Sequence, residues 1–284
     1  MMENIGLVLE GGGMRGAYTA GVLEHLMNND LYFKYVIGVS AGACNASSYV
    51  SRQIDRNRTV TVEYAGHPEY ISYKKLFKQR ELFGMDFIFD ELPNKLVPFD
   101  YETFHSASER FVVGTTDCMT GEPVYYEKSE VKQDILTVLR ASSSLPFVAP
   151  IINFDGRSLL DGGISDPIPV RKSEADGNRK NIVILTRNDG YIKSPIKGKW
   201  FLQRKYSQYP GLIESMARRH DTYNNTMRYI RQKEEEGSIF VIQPTLPLKV
   251  SRIERDKNKL DSLYVQGKKD AEGLHGELIK WLEE

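Results

Sequence analysis

Ser40 stands in Gly38-Val39-Ser40-Ala41-Gly42, after the apolar run Tyr35-Val36-Ile37 and before the small residues Ala43-Cys44-Asn45-Ala46. A serine with glycine two positions away on either side has the spacing of a nucleophile elbow. There a strand turns sharply into a helix, and the strained serine backbone leaves no room for side chains at the flanking positions. The helix that follows offers its N-terminal amides to negative charge developing near the serine oxygen. The chemistry this pattern suggests is acyl transfer through an activated hydroxyl. Alone, the pentapeptide also fits an ordinary strand-to-helix turn, so its meaning depends on its company.

The first companion is Gly11-Gly12-Gly13-Met14-Arg15-Gly16, which follows the apolar residues Ile5–Leu9 and Glu10. Consecutive glycines let backbone amides approach a ligand with no side chain in the way, and such amides cradle an oxyanion as readily as a phosphate. Gly11, Gly13 and Gly16 also satisfy the G-x-G-x-x-G of a dinucleotide-binding turn. That reading needs an acidic residue at the end of the second strand, where this chain has Val39 and Ser40, and Asp30 lies ahead of that strand. No Gly-Lys-Ser/Thr closes the loop as a P-loop would.

The second companion is Asp161 in Asp161-Gly162-Gly163, an aspartate at the end of an apolar strand with two glycines behind it. It is placed to approach a serine from a neighbouring strand. A dyad with serine needs partial desolvation, because a carboxylate with pKa ~4 is a weak base. Asp166 is the local competitor, and Pro167 and Pro169 give it the look of a turn residue. A histidine-containing triad is the rival: in serine–acid–histidine order it leaves His220 and His275. His220 sits in Arg218-Arg219-His220-Asp221, which reads as a solvated helix face, and His275 lies in the last helix. His25, His67 and His105 precede Asp161 in segments without catalytic punctuation. The early position of Ser40, after a single strand–helix unit, also departs from ordinary α/β-hydrolases.

Glycine loop, serine elbow and Asp161-Gly162-Gly163, in this order, resemble the three signatures of patatin-like phospholipases. The resemblance covers roughly residues 5–190, residues 141–150 are similar to the segment lining the acyl pocket in that family, and the C-terminal portion, about 206–284, is similar to that of bacterial members. It implies a three-layer α/β sandwich with a mainly parallel central sheet and a helical C-terminal extension, forming one patatin-like domain over residues 1–284. It implies a Ser–Asp dyad working without histidine, metal or cofactor on a phospholipid, lysophospholipid or related lipid ester. Ser40 would be the nucleophile, Asp161 the base, and the amides around Gly11, Gly12 and Gly13 the oxyanion hole. Arg15 matches the family's cation, which would either meet a substrate phosphate or pin the loop. The family's frequent Asn beyond the second motif is Asp166 here. The alternative is a nucleotide- or anion-binding α/β protein without hydrolase activity.

The elements that must carry these groups are legible in the pattern. Residues 5–9, 111–116, 124–126, 151–154, 158–160, 182–186 and 239–242 read as strands, with Asp155-Gly156 as a hairpin turn. Helices are expected from Ala17 to near Asn28, over 134–141, over about 212–233, and from a capping box at Ser251 and Glu254 to the C-terminus, with Leu260, Leu263, Leu274 and Leu278 toward the core. Residues 52–100 read as loops and short helices.

Thirty-eight basic and 38 acidic residues leave no net field to steer the chain to nucleic acid. Cys44 and Cys118 are too few for a disulfide framework and are expected to be buried thiols. With no basic-then-apolar leader and no run of ~18 apolar residues, the expectation is a cytoplasmic protein touching membranes only at their surface. The stretch 193–205 would make that contact: Lys193, Lys197, Lys199, Arg204 and Lys205 surround Ile196, Trp200, Phe201 and Leu202 without an acidic residue. The plainer expectation is a basic loop with Trp200 tucked into the core.

Overall fold

The computed structural model describes residues 4–196 and 198–284. Its sheet comprises β1 (Ile5–Leu9), β2 (Tyr35–Val39), β3 (Arg110–Asp117), β4 (Pro123–Glu127), β5 (Ile152–Phe154), β6 (Arg157–Asp161), β7 (Lys180–Ile184) and β8 (Ile239–Ile242). The order is β5-β6-β3-β2-β1-β7-β8, with β4 against β3. From β3 through β2, β1 and β7 to β8 every pairing is parallel, whereas β4, β5 and β6 join by antiparallel pairing.

The helices that bear on the site are α1 (Gly16–Asn28), α2 (Ala41–Val50), α3 (Ile135–Ser142), α4 (Val170–Ala175), α5 (Lys199–Lys205), α6 (Pro210–Glu235), α7 (Lys257–Gly273) and α8 (His275–Glu283). β1 and β2, in the middle of the sheet, are apolar throughout because both faces are covered. Leu7, Leu9, Val36, Ile182 and Ile184 point to the layer that holds α1, α2, α3 and α7, while Val8, Ile37, Val112 and Val183 meet Val170 of α4 and Tyr223 and Ile230 of α6. This is the alternation a strand's two-residue period requires, and it makes the molecule the three-layer α/β sandwich expected.

One edge of β3 explains how the site is assembled. β2 pairs with residues 110–114 of β3, and β4 pairs with 112–116 on the opposite edge. β6 pairs with 115–117, so it takes over the edge that β2 leaves as the chain turns at Ser40. Asp161, opposite Thr115, therefore arrives next in line after Val39, opposite Gly114. A Cβ at Gly162 would lie 2.2 Å from the Gly114 carbonyl oxygen and 3.0 Å from Val39, which is why the residue after Asp161 is bare.

The C-terminal helices pack directly on this core. A Cβ at Gly21 of α1 would sit 2.0 Å from the Tyr264 carbonyl oxygen, and one at Gly267 of α7 would sit 2.1 Å from that of Tyr18, so α1 and α7 approach through reciprocal glycines. The Asp155-Gly156 hairpin forms with both residues at positive φ, 50° and 69°.

Four expectations need correction. Ser251 and Glu254 do not cap a helix: they flank a turn at Arg252 and Ile253, and α7 begins at Lys257 with Asp256 accepting from the Asn258 and Lys259 amides. Leu260, Leu263 and Leu278 are buried but Leu274, at the α7–α8 junction, is half-exposed. Residues 199–205 form a helix, and Trp200, 65% exposed, stands outside the core. The strand expected over 182–186 is Lys180–Ile184, and Thr186 lies beyond it.

Candidate functional site

Ser40 lies between β2 and α2, at the N-cap of α2, with φ 55° and ψ −131°, a conformation that costs a non-glycine residue on the order of 1–3 kcal/mol. The neighbouring glycines make it possible. A Cβ at Gly38 would lie 2.7 Å from the Ala43 nitrogen, and one at Gly42 would lie 2.6 Å from the Leu9 carbonyl oxygen. Ser142, at the end of α3, holds the turn: its hydroxyl accepts from the Ser40 amide at 2.8 Å and donates to the Gly114 carbonyl at 2.7 Å. Two residues on, the Ser144 carbonyl accepts from the Asp161 amide at 2.8 Å. The last residue of α3 and the turn after it therefore fix the backbones of both residues.

Asp161 is 2% exposed. Its Oδ1 accepts from the Gly163 amide at 2.8 Å, and its buried Oδ2 has no hydrogen-bond partner among the described residues. Burial pushes this carboxyl above the usual aspartate range, against the opposing pull of the Ser40 hydroxyl and the Arg219 guanidinium. The Ser40 hydroxyl is thus near enough to favour the charged carboxylate without making an ordinary hydrogen bond to it. That combination, a desolvated carboxylate with one open oxygen, is what a weak base needs to become a stronger one.

The glycine loop overhangs the serine. A Cβ at Gly11 would stand 3.1 Å from the Ser40 Cβ, and Gly13 takes a φ of +57° with its bare side against the Arg252 carbonyl. Among the described residues, no protein acceptor takes the amides of Gly11, Gly12 or Gly13, although their neighbours are paired: Glu10 donates to Ile184 and Met14 to Arg252. The first-turn amides of α2 are likewise unused by its helix. Donors on two elements thus flank Ser40.

Two cavities meet at Ser40. One, of about 120 Å³, is lined largely by apolar groups, among them Met14, Met85, Phe89, Leu136, Leu139 and Leu145. Cys44 faces it and is therefore half-buried where a buried thiol was expected; Cys118 is buried. The other, of about 20 Å³, is polar and touches Gly11, Gly12, Gly13, Arg15, Ser40 and Asp161. Arg15 is 3% exposed, and its Nε donates to the Thr186 carbonyl at 3.2 Å. Burial, aided by Arg187 and Arg252, pushes its pKa down to about 10.

Ser40, Asp161, Gly11, Gly12, Gly13 and Arg15 thus converge, whereas other candidates lie apart. Asp166 lines neither cavity, and it accepts from the Tyr125 hydroxyl at 2.6 Å. Of the described residues lining the two cavities, none is a histidine. His275 pairs with His25 at 3.1 Å, and His220 faces its own helix carbonyl at Ala217. Sequence reasoning missed Glu10, Ser142 and Arg219. Glu10 accepts from the Thr186 amide and hydroxyl, tying the glycine loop to the end of β7, and Arg219 donates to the Gly163 carbonyl at 2.5 Å. Nothing in the local pattern of α6 marks Arg219, since its role comes only from packing against the 161–163 turn.

A serine at a strained strand-to-helix turn, under a glycine loop at the carboxyl edge of a mainly parallel sheet, puts the chain among the α/β proteins built around a serine elbow. The comparisons with known proteins are more particular. A family model described as patatin-like phospholipase matches residues 7–172, and a domain of unknown function (DUF6363) matches residues 209–283. The chain belongs to the patatin-like phospholipase family. It is 30% identical over 256 residues to the uncharacterized protein YjjU of Escherichia coli, covering 86% of this chain and 69% of that one. It is 24% identical over 294 residues to lysophospholipase NTE1 of Candida albicans, covering 96% of this chain and 20% of that protein. VipD of Legionella pneumophila aligns with a TM-score of 0.49 at 12% identity, over 98% of this chain and 66% of VipD, a likeness too distant to bear on function. No helix among the described residues is long and apolar enough to cross a membrane.

Proposed function

We propose that this protein is a serine acyl hydrolase acting on a phospholipid, lysophospholipid or related lipid ester through a Ser40–Asp161 dyad. The observation that carries the reading is the open Oδ2 of a buried Asp161 beside a hydroxyl on a strained elbow, with donors above it and an apolar cavity beside it. The acyl chain lies in the apolar cavity and its carbonyl oxygen faces the Gly11–Gly13 amides. Ser40 Oγ attacks the carbonyl carbon as its proton passes to the Asp161 carboxylate. The ester C–O bond breaks, the leaving alcohol takes that proton, and water then hydrolyses the acyl-enzyme by the same route. Arg15 both ties the loop to Thr186 and lines the polar cavity, which supports a place beside the substrate's polar end. A panel of lysophospholipids and neutral glycerol esters tests this directly. Hydrolysis of at least one by the parent protein and none by Ser40→Ala is the expected result; no hydrolysis of any would reject the reading in favour of an anion-binding scaffold.

The pH dependence follows from Asp161. The base must be ionised, and burial raises its pKa, so activity is expected to be lost as pH falls through a value above that of an ordinary aspartate. No imidazole contributes, so the acid limb on a soluble ester should stay in place when His220 or His275 is replaced by Gln. A limb that moves with either histidine would argue for a triad.

Peripheral membrane contact through residues 193–205 is part of this reading. Ile192, Ile196, Trp200 and Phe201 are exposed beside the exposed cations Arg204 and Lys205, while Lys197 and the side chain of Lys199 lie outside what the structure describes. Leu202 and Tyr206 are buried and anchor α5 on Phe147, with the Tyr206 hydroxyl accepting from the Phe147 amide at 2.8 Å. Phe147 is two residues from Leu145, which lines both cavities, so the apolar surface stands near the site. Binding to anionic vesicles is expected to weaken as salt rises, each cation contributing about 1 kcal/mol. Trp200→Ala with Phe201→Ala should weaken it further in a cosedimentation assay. Salt-independent binding, or none, would leave α5 without this role.

A further inference from the structure

Five cations converge on the polar cavity at Ser40 from four separate parts of the chain: Arg15 from the glycine loop, Arg187 and Lys193 from beyond β7, Arg219 from α6, and Arg252 from the segment before α7. Glu10 and Asp161 are the carboxylates that line it with them. Among the described residues, none of the five cations makes an ion pair within 4 Å, although sixteen such pairs occur elsewhere in a chain whose charges balance. The cluster is held, not loose. The Asn224 side chain bonds the Lys193 amide and carbonyl at 2.8 and 3.0 Å, Arg219 is tied to Gly163, and the Arg252 carbonyl accepts from Met14.

Unpaired like charges gathered at a half-buried surface cost free energy unless an anion completes them. Burial and the neighbouring arginines lower Arg219 to about 10 and Lys193 to about 7. Arg15 lies deep, whereas Arg187, Lys193, Arg219 and Arg252 are all half-exposed. A cavity of about 20 Å³ holds little more than one water or ester oxygen, so a larger anion must sit at its mouth, among these less buried groups.

We propose that Arg187, Lys193, Arg219 and Arg252, with Arg15 beneath them, form a head-group site for a phosphomonoester dianion, so that the preferred substrate is an acylated glycerol phosphate over its zwitterionic or neutral counterparts. This rests on the acyl hydrolase reading for the reaction, but the binding of the head group does not depend on turnover. A phosphomonoester carries close to two charges at neutral pH and offers three acceptor oxygens, which matches several guanidinium groups and an ammonium better than a choline-capped phosphodiester does. Binding should also draw a proton onto Lys193 above pH about 7. The titratable groups that line the cavity with Lys193 are Glu10, Arg15, Asp161, Arg187, Tyr191, Arg219, Tyr223 and Arg252, and of these only Glu10 and Asp161 are carboxylates.

The test is calorimetric titration of the intact protein, and of its Ser40→Ala variant, with glycerol 3-phosphate, inorganic phosphate and glycerol. Glycerol 3-phosphate is expected to bind both proteins with proton uptake at pH 8. Arg187→Gln and Arg252→Gln, each checked for folding by circular dichroism, should weaken it roughly 10-fold or more. Lysophosphatidic acid should be hydrolysed with a higher kcat/KM than lysophosphatidylcholine or monoacylglycerol, and the same variants should lower that ratio mainly through KM. No binding of glycerol 3-phosphate, or binding unchanged in both variants, overturns the proposal. Inorganic phosphate binding as tightly, with no preference for the phosphomonoester lipid, assigns the cluster to free phosphate and overturns it as a head-group site. Loss of hydrolysis with head-group binding intact would instead count against the acyl hydrolase reading alone.

Discussion

Replacing Ser40 with Ala, or Asp161 with Asn, is expected to lower turnover of a lipid ester by ~10³-fold or more while leaving the fold intact. The two groups act as a unit: the hydroxyl is a poor nucleophile unless its proton has somewhere to go, and the carboxylate has no other hydroxyl to deprotonate. The double variant should therefore be no worse than either single one, and far better than the product of their effects. Both changes are nearly isosteric, so thermal unfolding should move little. Asp161→Asn also removes a buried charge whose Oδ2 lacks a partner, and it should cost less stability than removing a paired carboxylate would. Full activity in Asp161→Asn would contradict the dyad, most directly if a histidine variant were inactive instead.

The second large effect is expected at Gly42. Its Cβ would lie 2.6 Å from the Leu9 carbonyl oxygen and 2.7 Å from that of Glu10, so Gly42→Ala must push α2 away from the end of β1. The displaced atoms are backbone on both sides, with no flexible side chain to give way. Overpacking of this kind costs about 1–3 kcal/mol, and it acts on the strained turn that carries Ser40. Turnover is expected to fall ~10²-fold, because an error of about 1 Å in a reacting group has that effect. Gly276→Ala, in α8 with nothing within 4 Å of the added methyl, is the control and should be neutral or slightly stabilising. Equal behaviour of the two variants in activity and denaturant midpoint would show that the elbow does not depend on this contact.

How much of this was legible beforehand depends on how local each cause is. The strands Ile5–Leu9 and Ile239–Ile242 and the hairpin at Asp155-Gly156 follow from short-range pattern and turn chemistry, and they form where expected. The elbow was legible because its steric requirement falls on residues two positions from Ser40. The close approach of Asp161 to Ser40 was harder to foresee in its actual form, since it comes from β6 replacing β2 along one edge of β3, a long-range pairing that no window reveals. The helix Lys199–Lys205 stands where a basic loop was expected, because burial of Leu202 and Tyr206 against Phe147 holds about two turns of helix in place. The false cap at Ser251 had the right spacing, but Asp256 supplies the acceptor to the first helical amides. Arg187, Lys193, Arg219 and Arg252 are scattered over 66 positions of sequence, and only the packing of α6 and the pre-α7 segment against the glycine loop gathers them.

A working dyad requires that Ser40 be chemically activated and that Asp161 activate it. The most direct measurement is the rate of labelling by a fluorophosphonate, with the modified peptide identified by mass spectrometry, in the parent protein, Ser40→Ala and Asp161→Asn. A single label on Ser40 is expected in the parent, none in Ser40→Ala, and labelling slowed by ~10²-fold or more in folded Asp161→Asn. Labelling of another serine, or an undiminished rate in Asp161→Asn, would contradict the dyad.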